Sequence, residues 1–200
     1  GGSSVPLLAF SILMVFVFAL AAVSLEKQSA YEAVYRPSGQ DLTFSLLGAL
    51  GLIAGCVLSF RGSVAQMLVS LLGLLAGLSL GAGAVMRWKE KKPSAAFSVF
   101  VVLFYVAKLF RDFRHWEINP ALLDYCFSLF AMIAFMLASY HAGAFSFERG
   151  ARRRLAFYSL LGVLFGAVSL AGAQLPELLI YAGSVFWMLA CAQQMLKRSV

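Results

Sequence analysis

Residues 94–116 read SAAFSVFVVLFYVAKLFRDFRHW. The first half, Ser94 to Ala107, is apolar almost throughout, whereas the second half carries Lys108, Arg111, Asp112, Arg114 and His115. Crossing the hydrocarbon core of a bilayer takes roughly 20 residues of helix, so the apolar half alone is short for a span. Lys108, Asp112 and His115 recur at helical spacing and share one face, with Arg111 on its flank. A helix that continues amphipathically to Trp116 is long enough to cross. Whether it does decides between seven spans and six.

The neighbouring stretches are less ambiguous. Upstream, a basic loop at 87–92 ends at Pro93, and an apolar span covers 63–86. The Arg61-Gly62 turn is so short that the span before it, 42–60, must be an antiparallel neighbour. Asp41 is placed to cap that span. A polar loop at 26–40, turning at Pro37, Ser38 and Gly39, connects it to a first span at 5–25. Downstream, Asn119 and Pro120 form a cap-plus-proline start for a fifth span at 120–145. A second basic loop, 148–154, leads to a sixth span at 155–172, and Pro176 with Glu177 opens a seventh at 177–196. The expected fold is therefore all-α: a polytopic bundle of about seven transmembrane helices forming one domain over 5–200. Gly1 to Ser4 reads as a linker or tag remnant. The first stretch lacks a charged n-region and precedes further spans, so a retained helix is expected.

Composition requires a membrane. Hydrophobic residues make up 62% of the 200, and charged residues only 12%. Soluble domains keep about a quarter of their residues charged. The net charge of +7 sits in short basic runs between apolar stretches, which points to orientation and anionic headgroups rather than nucleic acid. With seven spans, twelve of the sixteen Lys and Arg fall on one side and four on the other. The positive-inside rule then puts that side, and the C-terminus, in the cytoplasm, and the N-terminus outside. A bacterial inner membrane is the expected location.

Small residues at four-residue spacing mark three spans: Gly51 and Gly55 in the second, Gly73, Gly77 and Gly81 in the third, Gly162 and Gly166 in the sixth. Such spacing lets helices approach closely in lipid, within one chain or between copies. Ser70-Leu71-Leu72-Gly73 also matches Ser159-Leu160-Leu161-Gly162, with Gly77 and Gly166 at the same offset. Internal repeats are common in transporters, and Leu/Gly-rich helices also repeat by chance.

The candidate ligand site is the polar cluster Lys108, Arg111, Asp112, His115, Asp124 and Tyr125. Counting helical rise from Trp116 and Pro120 brings Lys108 and Asp124 to similar depth on adjacent spans. Ionisable groups inside a membrane usually face a bundle interior or cavity. The cluster thus suggests an outward pocket between the fourth and fifth spans for an anionic or zwitterionic small molecule or headgroup; lysines and arginines reaching to lipid phosphates are the plain alternative. His141 beside Tyr140 reads as an interfacial anchor, and Glu177 as a first-turn carboxylate favoured by the helix dipole. The run Arg152 to Arg154 sets topology or meets anionic lipid.

No HExxH, GxSxG, P-loop or paired-Cys motif is present. Cys56, Cys126 and Cys191 lie singly in apolar stretches, two histidines are too few for most metal sites, and the seventh span has no lysine for a retinal Schiff base. No cofactor or metal is expected. The leading reading is a small membrane protein that binds or moves a small molecule or lipid. The alternatives are a membrane subunit or homo-oligomer packed through its glycine faces, and an intramembrane lipid-modifying enzyme using Asp124 or His141. Expected partners are membrane lipids and, on the second reading, another membrane chain.

Overall fold

The computed structural model describes residues 4–60, 63–116 and 122–197, with side chains undescribed at 4–5, 115–116 and 122–124. It contains α1 (Ser4–Ser24), α2 (Tyr31–Val34), α3 (Gly39–Leu58), α4 (Val64–Trp88), α5 (Ala95–Trp116), α6 (Leu122–Ala144), α7 (Arg152–Ser169) and α8 (Leu175–Leu196). Single 3₁₀ turns follow α6 and α7. No strand occurs among the described residues. The chain is an all-α bundle, as the sequence predicts.

Six helices, α1, α3, α4, α6, α7 and α8, are long and apolar enough to cross a membrane. The seventh long helix is α5. Its 22 residues extend about 33 Å, enough for a hydrocarbon core of about 30 Å. Its charges keep it from being uniformly apolar, and its burial pattern shows how it accommodates them. Lys108 is 1% exposed and Asp112 5%, while Phe110 and Phe113 on the other face are exposed. Lys108 and Asp112 turn inward while Phe110, Phe113 and Arg114 face out, so the ionisable pair deepest along the helix is the one shielded from lipid.

Helices α3 to α8 form a closed ring. Each packs chiefly on its neighbours in sequence, and α8 returns to pack on α3, the most extensive contact in the molecule. Helix α1 lies outside the ring against α7, with Leu13, Phe16 and Leu20 exposed. Phe104, Tyr105, Met132, Phe135, Trp187 and Met188 fill the interior.

The α3–α8 seam depends on glycine. A Cβ on Gly183 would lie 2.7 Å from both the Gly48 carbonyl oxygen and the Leu52 amide nitrogen. A Cβ on Gly51 would lie 2.8 Å from the Gly183 Cα, and one on Gly55 2.7 Å from the Pro176 carbonyl. In lipid, such backbone approach supplies the dispersion contact that drives helix association. Gly73, Gly77, Gly162 and Gly166 likewise face other helices of this chain, whereas Gly81 has only an ordinary contact with Ala49. The two matching Ser-Leu-Leu-Gly segments occupy equivalent places. Gly73 of α4 faces Cys56 of α3 and Phe104 of α5; Gly162 of α7 faces Phe135 of α6 and Met188 of α8. Ser70 and Ser159 are both buried.

Three sequence expectations are corrected. The span expected at 42–60 starts at Gly39, and Asp41 is not its cap: it sits buried in the first turn and pairs with Arg87 at 3.2 Å. The loop expected over 26–40 contains α2. The basic loop expected at 148–154 ends at Ala151, because Arg152 begins α7. The buried Arg152 guanidinium donates to the carbonyls of Met195 (2.8 Å) and Lys197 (2.6 Å), and Arg153 donates to that of Leu25 (2.7 Å). These arginines satisfy carbonyls at the C-terminal ends of α8 and α1, where helix carbonyls lack intrahelical donors and cations are favoured.

Candidate functional site

The inward charges of α5 form the densest polar cluster. Lys108 and Asp112 are one helical turn apart, so their side chains meet along the same face. The Lys108 Nζ lies 2.7 Å from the Asp112 carboxylate and 5.8 Å from the centre of the Tyr181 ring. Arg111 bonds the other Asp112 oxygen through Nε at 2.7 Å and also donates to Gln66 of α4. Asp112 is thus held by two cations from its own helix, which makes it the anchor of the cluster.

Glu177 approaches from α8. Its carboxylate lies 3.9 Å from Lys108 Nζ and 3.8 Å from Arg111, beyond hydrogen-bond distance, and its side chain is 46% exposed. Between these groups lies a cavity of about 220 Å³. Its walls come from α3 (Cys56), α4 (Gln66, Ser70), α5 (Lys108, Arg111) and the start of α8 (Gln174, Glu177). Among the described residues, none of α6 lines it.

The structure therefore joins Lys108, Arg111 and Asp112, as the sequence reading expects. Tyr125 lies half-buried in the first turn of α6. The side chains of His115 and Asp124 lie outside the described residues, so the predicted Lys108–Asp124 pair does too. The cluster expected from sequence contains neither Gln66 nor Glu177. Each occupies the first turn of a helix, where a polar residue has a sufficient local explanation. Their signal is position: both stand at the end of the bundle where α5 carries its charges.

A second polar group occupies the other end of the ring. Arg87 closes on Asp41 and donates to Ser45 at 3.0 Å. The 26–38 segment folds over this pair. Tyr31 and Tyr35 stack at 4.8 Å, Tyr35 meets Phe145 edge-on, and Arg87 lies 5.8 Å from the Tyr35 ring centre. The Arg36 backbone and the Gln194 side-chain amide bond each other reciprocally, at 3.1 and 3.5 Å. Only about 40 Å³ remains empty. Burial, the dominant cause, pushes the Tyr31 phenol up to about 12, and Tyr35 is also raised well above its ordinary value by burial.

Midway between the ends, Tyr105 and Ser184 are buried with their hydroxyls 2.7 Å apart, and Ser184 donates to the Ile180 carbonyl. Among the described residues, no three His, Cys, Asp or Glu side chains come together as metal ligands. The chain has no match among protein-family models, curated proteins or solved structures.

Proposed function

We propose that this membrane protein binds a small zwitterionic or anionic metabolite in the cavity between α3, α4, α5 and α8. The observation that supports it most is the relation of Glu177 to the two cations. Asp112 balances only one of the two positive charges at close range, and Glu177, 3.8–3.9 Å from the two cations and beyond hydrogen-bond distance, lines the same cavity as they do. A ligand carboxylate entering the void would meet Lys108 and Arg111, and a ligand ammonium would meet Glu177. The volume of about 220 Å³ falls below the roughly 300–1,000 Å³ of drug-sized sites, which favours a compact ligand.

The buried Tyr105–Ser184 hydroxyl pair lies between this cavity and the basic end, which the 26–38 segment covers. The charge asymmetry supports a cytoplasmic basic end and an outward cavity, as expected for residence in a bacterial inner membrane. The glycine contacts within the chain support a bundle that is complete without a partner subunit.

The test is native mass spectrometry after incubation with a panel of free amino acids, dicarboxylates and inorganic phosphate. Retained adducts are expected for at least one zwitterion, with about tenfold weaker retention in Arg111→Gln, a loss of about 1.4 kcal/mol. Equal retention by the folded variant, or no adduct from the whole panel, sinks the reading.

A further inference from the structure

A second, larger hollow lies on the outside of the ring. It holds about 830 Å³ between the first half of α5 and the last turn of α6, near the basic end. Its deep wall is apolar. Val99 and Leu103 are 53% and 45% exposed, and Leu103 lies eight residues into α5 from Ala95, a depth of about 12 Å. Its mouth is polar and cationic: Tyr140, His141, Arg149 and Arg154 line it, and no carboxylate does. Gly143 sets the floor, since a Cβ there would sit 2.7 Å from the Ser98 Cβ. Without a side chain at 143, α5 and α6 close at this point.

The two arginines differ from their neighbours. Arg152 and Arg153 are engaged with helix carbonyls. Among the described residues, Arg149 and Arg154 have no ion-pair or hydrogen-bond partner in their side chains. The adjacent Glu148 pairs with Lys92 at 3.2 Å. Two unopposed guanidiniums therefore stand at the headgroup level above an apolar groove that opens sideways.

We infer that this groove binds one anionic phospholipid of the surrounding bilayer. Its phosphate lies between Arg149 and Arg154, and one acyl chain runs along Val99, Val102 and Leu103. Charge complementarity selects the occupant. Planar guanidiniums bind phosphate oxygens in bidentate fashion, and basic pockets between helices at the cytoplasmic side attract anionic headgroups. The Tyr140 ring, largely exposed, has the amphipathic character that suits the lipid–water boundary.

The experiment is native mass spectrometry of the protein released from nanodiscs of equal phosphatidylglycerol and phosphatidylcholine. The wild type is expected to retain one lipid, with phosphatidylglycerol strongly preferred. Arg149→Gln with Arg154→Gln should cut that preference about tenfold. Lys89→Gln with Lys91→Gln removes the same charge from the same end and should leave it intact. Leu103→Trp, which fills the groove and keeps both arginines, should lose the lipid. Equal retention of both lipids by the wild type would overturn the inference. So would a preference lost equally in the lysine variant, or a lipid retained in Leu103→Trp. If the arginine pair does not fold, Arg154→Gln alone with Leu103→Trp decides the question.

Discussion

At the basic end of the ring, Arg87 and Asp41 come from different helices and are sealed under a folded segment with about 40 Å³ to spare. At the opposite end, Lys108, Arg111 and Asp112 come from a single helix, and Lys108 and Arg111 line a void more than five times larger. Both ends hold buried charge. At the basic end, further protein groups close on the pair: Ser45 accepts from Arg87, the Tyr35 ring lies beside it, and Gln194 fixes the segment above. At the α5 end, Glu177 stands off from its cations and Gln66 lies at the rim. Buried charge alone therefore does not identify a site. The filled pair ties two helices together, whereas the α5 cluster borders an unfilled volume.

The largest effect comes from the seam on which both ends depend. Gly183→Leu places a side chain against the backbone of α3, where no rotamer change makes room. The expected cost exceeds about 4 kcal/mol, beyond ordinary overpacking, and no monodisperse protein should be recovered by size exclusion. A stable Gly183→Leu protein would show that the ends are built independently.

Next comes the α5 cluster. Asp112→Ala leaves Lys108 buried with only Glu177 at 3.9 Å and the Tyr181 ring. Removing one partner of a buried pair costs about 3–5 kcal/mol, read as a lower thermal midpoint in detergent. Lys108→Met combined with Asp112→Leu should recover most of that loss while abolishing ligand retention. Recovery of both would remove the distinction between the two ends.

Asp41→Asn should cost less, about 1–3 kcal/mol, because Arg87 keeps Ser45 and the Tyr35 ring and the amide can still accept a hydrogen bond. Ligand retention at the α5 end should be unchanged. The smallest effect is alkaline. Tyr31 ionises near 12 in the folded protein against its ordinary value near 10. The stability it contributes is complete below about 10 and lost as pH rises through about 12. Tyrosinate absorbance followed alongside proteolysis within 26–38 should show the segment released in that window. Release well below 10 would mean the segment is not held by buried phenols.

The spans were legible because length and hydropathy report directly on the bilayer. Pro176 opening α8 and Ser63 at the start of α4 follow from local rules. What escaped was pairing over distance. Asp41 and Arg87 are 46 residues apart, and each had a sufficient local explanation as a cap and a loop cation. Arg152 and Arg153 bond backbone carbonyls, which carry no sequence signature. Gly183 stands alone in α8 without a glycine four residues away, so its role is visible only from the α3 face it meets. The dipole of its own helix accounts for Glu177 locally, and nothing in the sequence around it points to the two cations opposite.

The closure of the ring has a consequence for how the protein is made. Its first helix, α3, packs most extensively on its last, α8. During synthesis α3 therefore waits in the bilayer with Gly48, Gly51 and Gly55 bare to lipid until α8 emerges. Intermediates with unmatched surfaces are the ones that chaperones and proteases act on. A ribosome that stalls before α8 leaves an open crescent, in which the glycine stripe that later holds the ring shut has no helix against it.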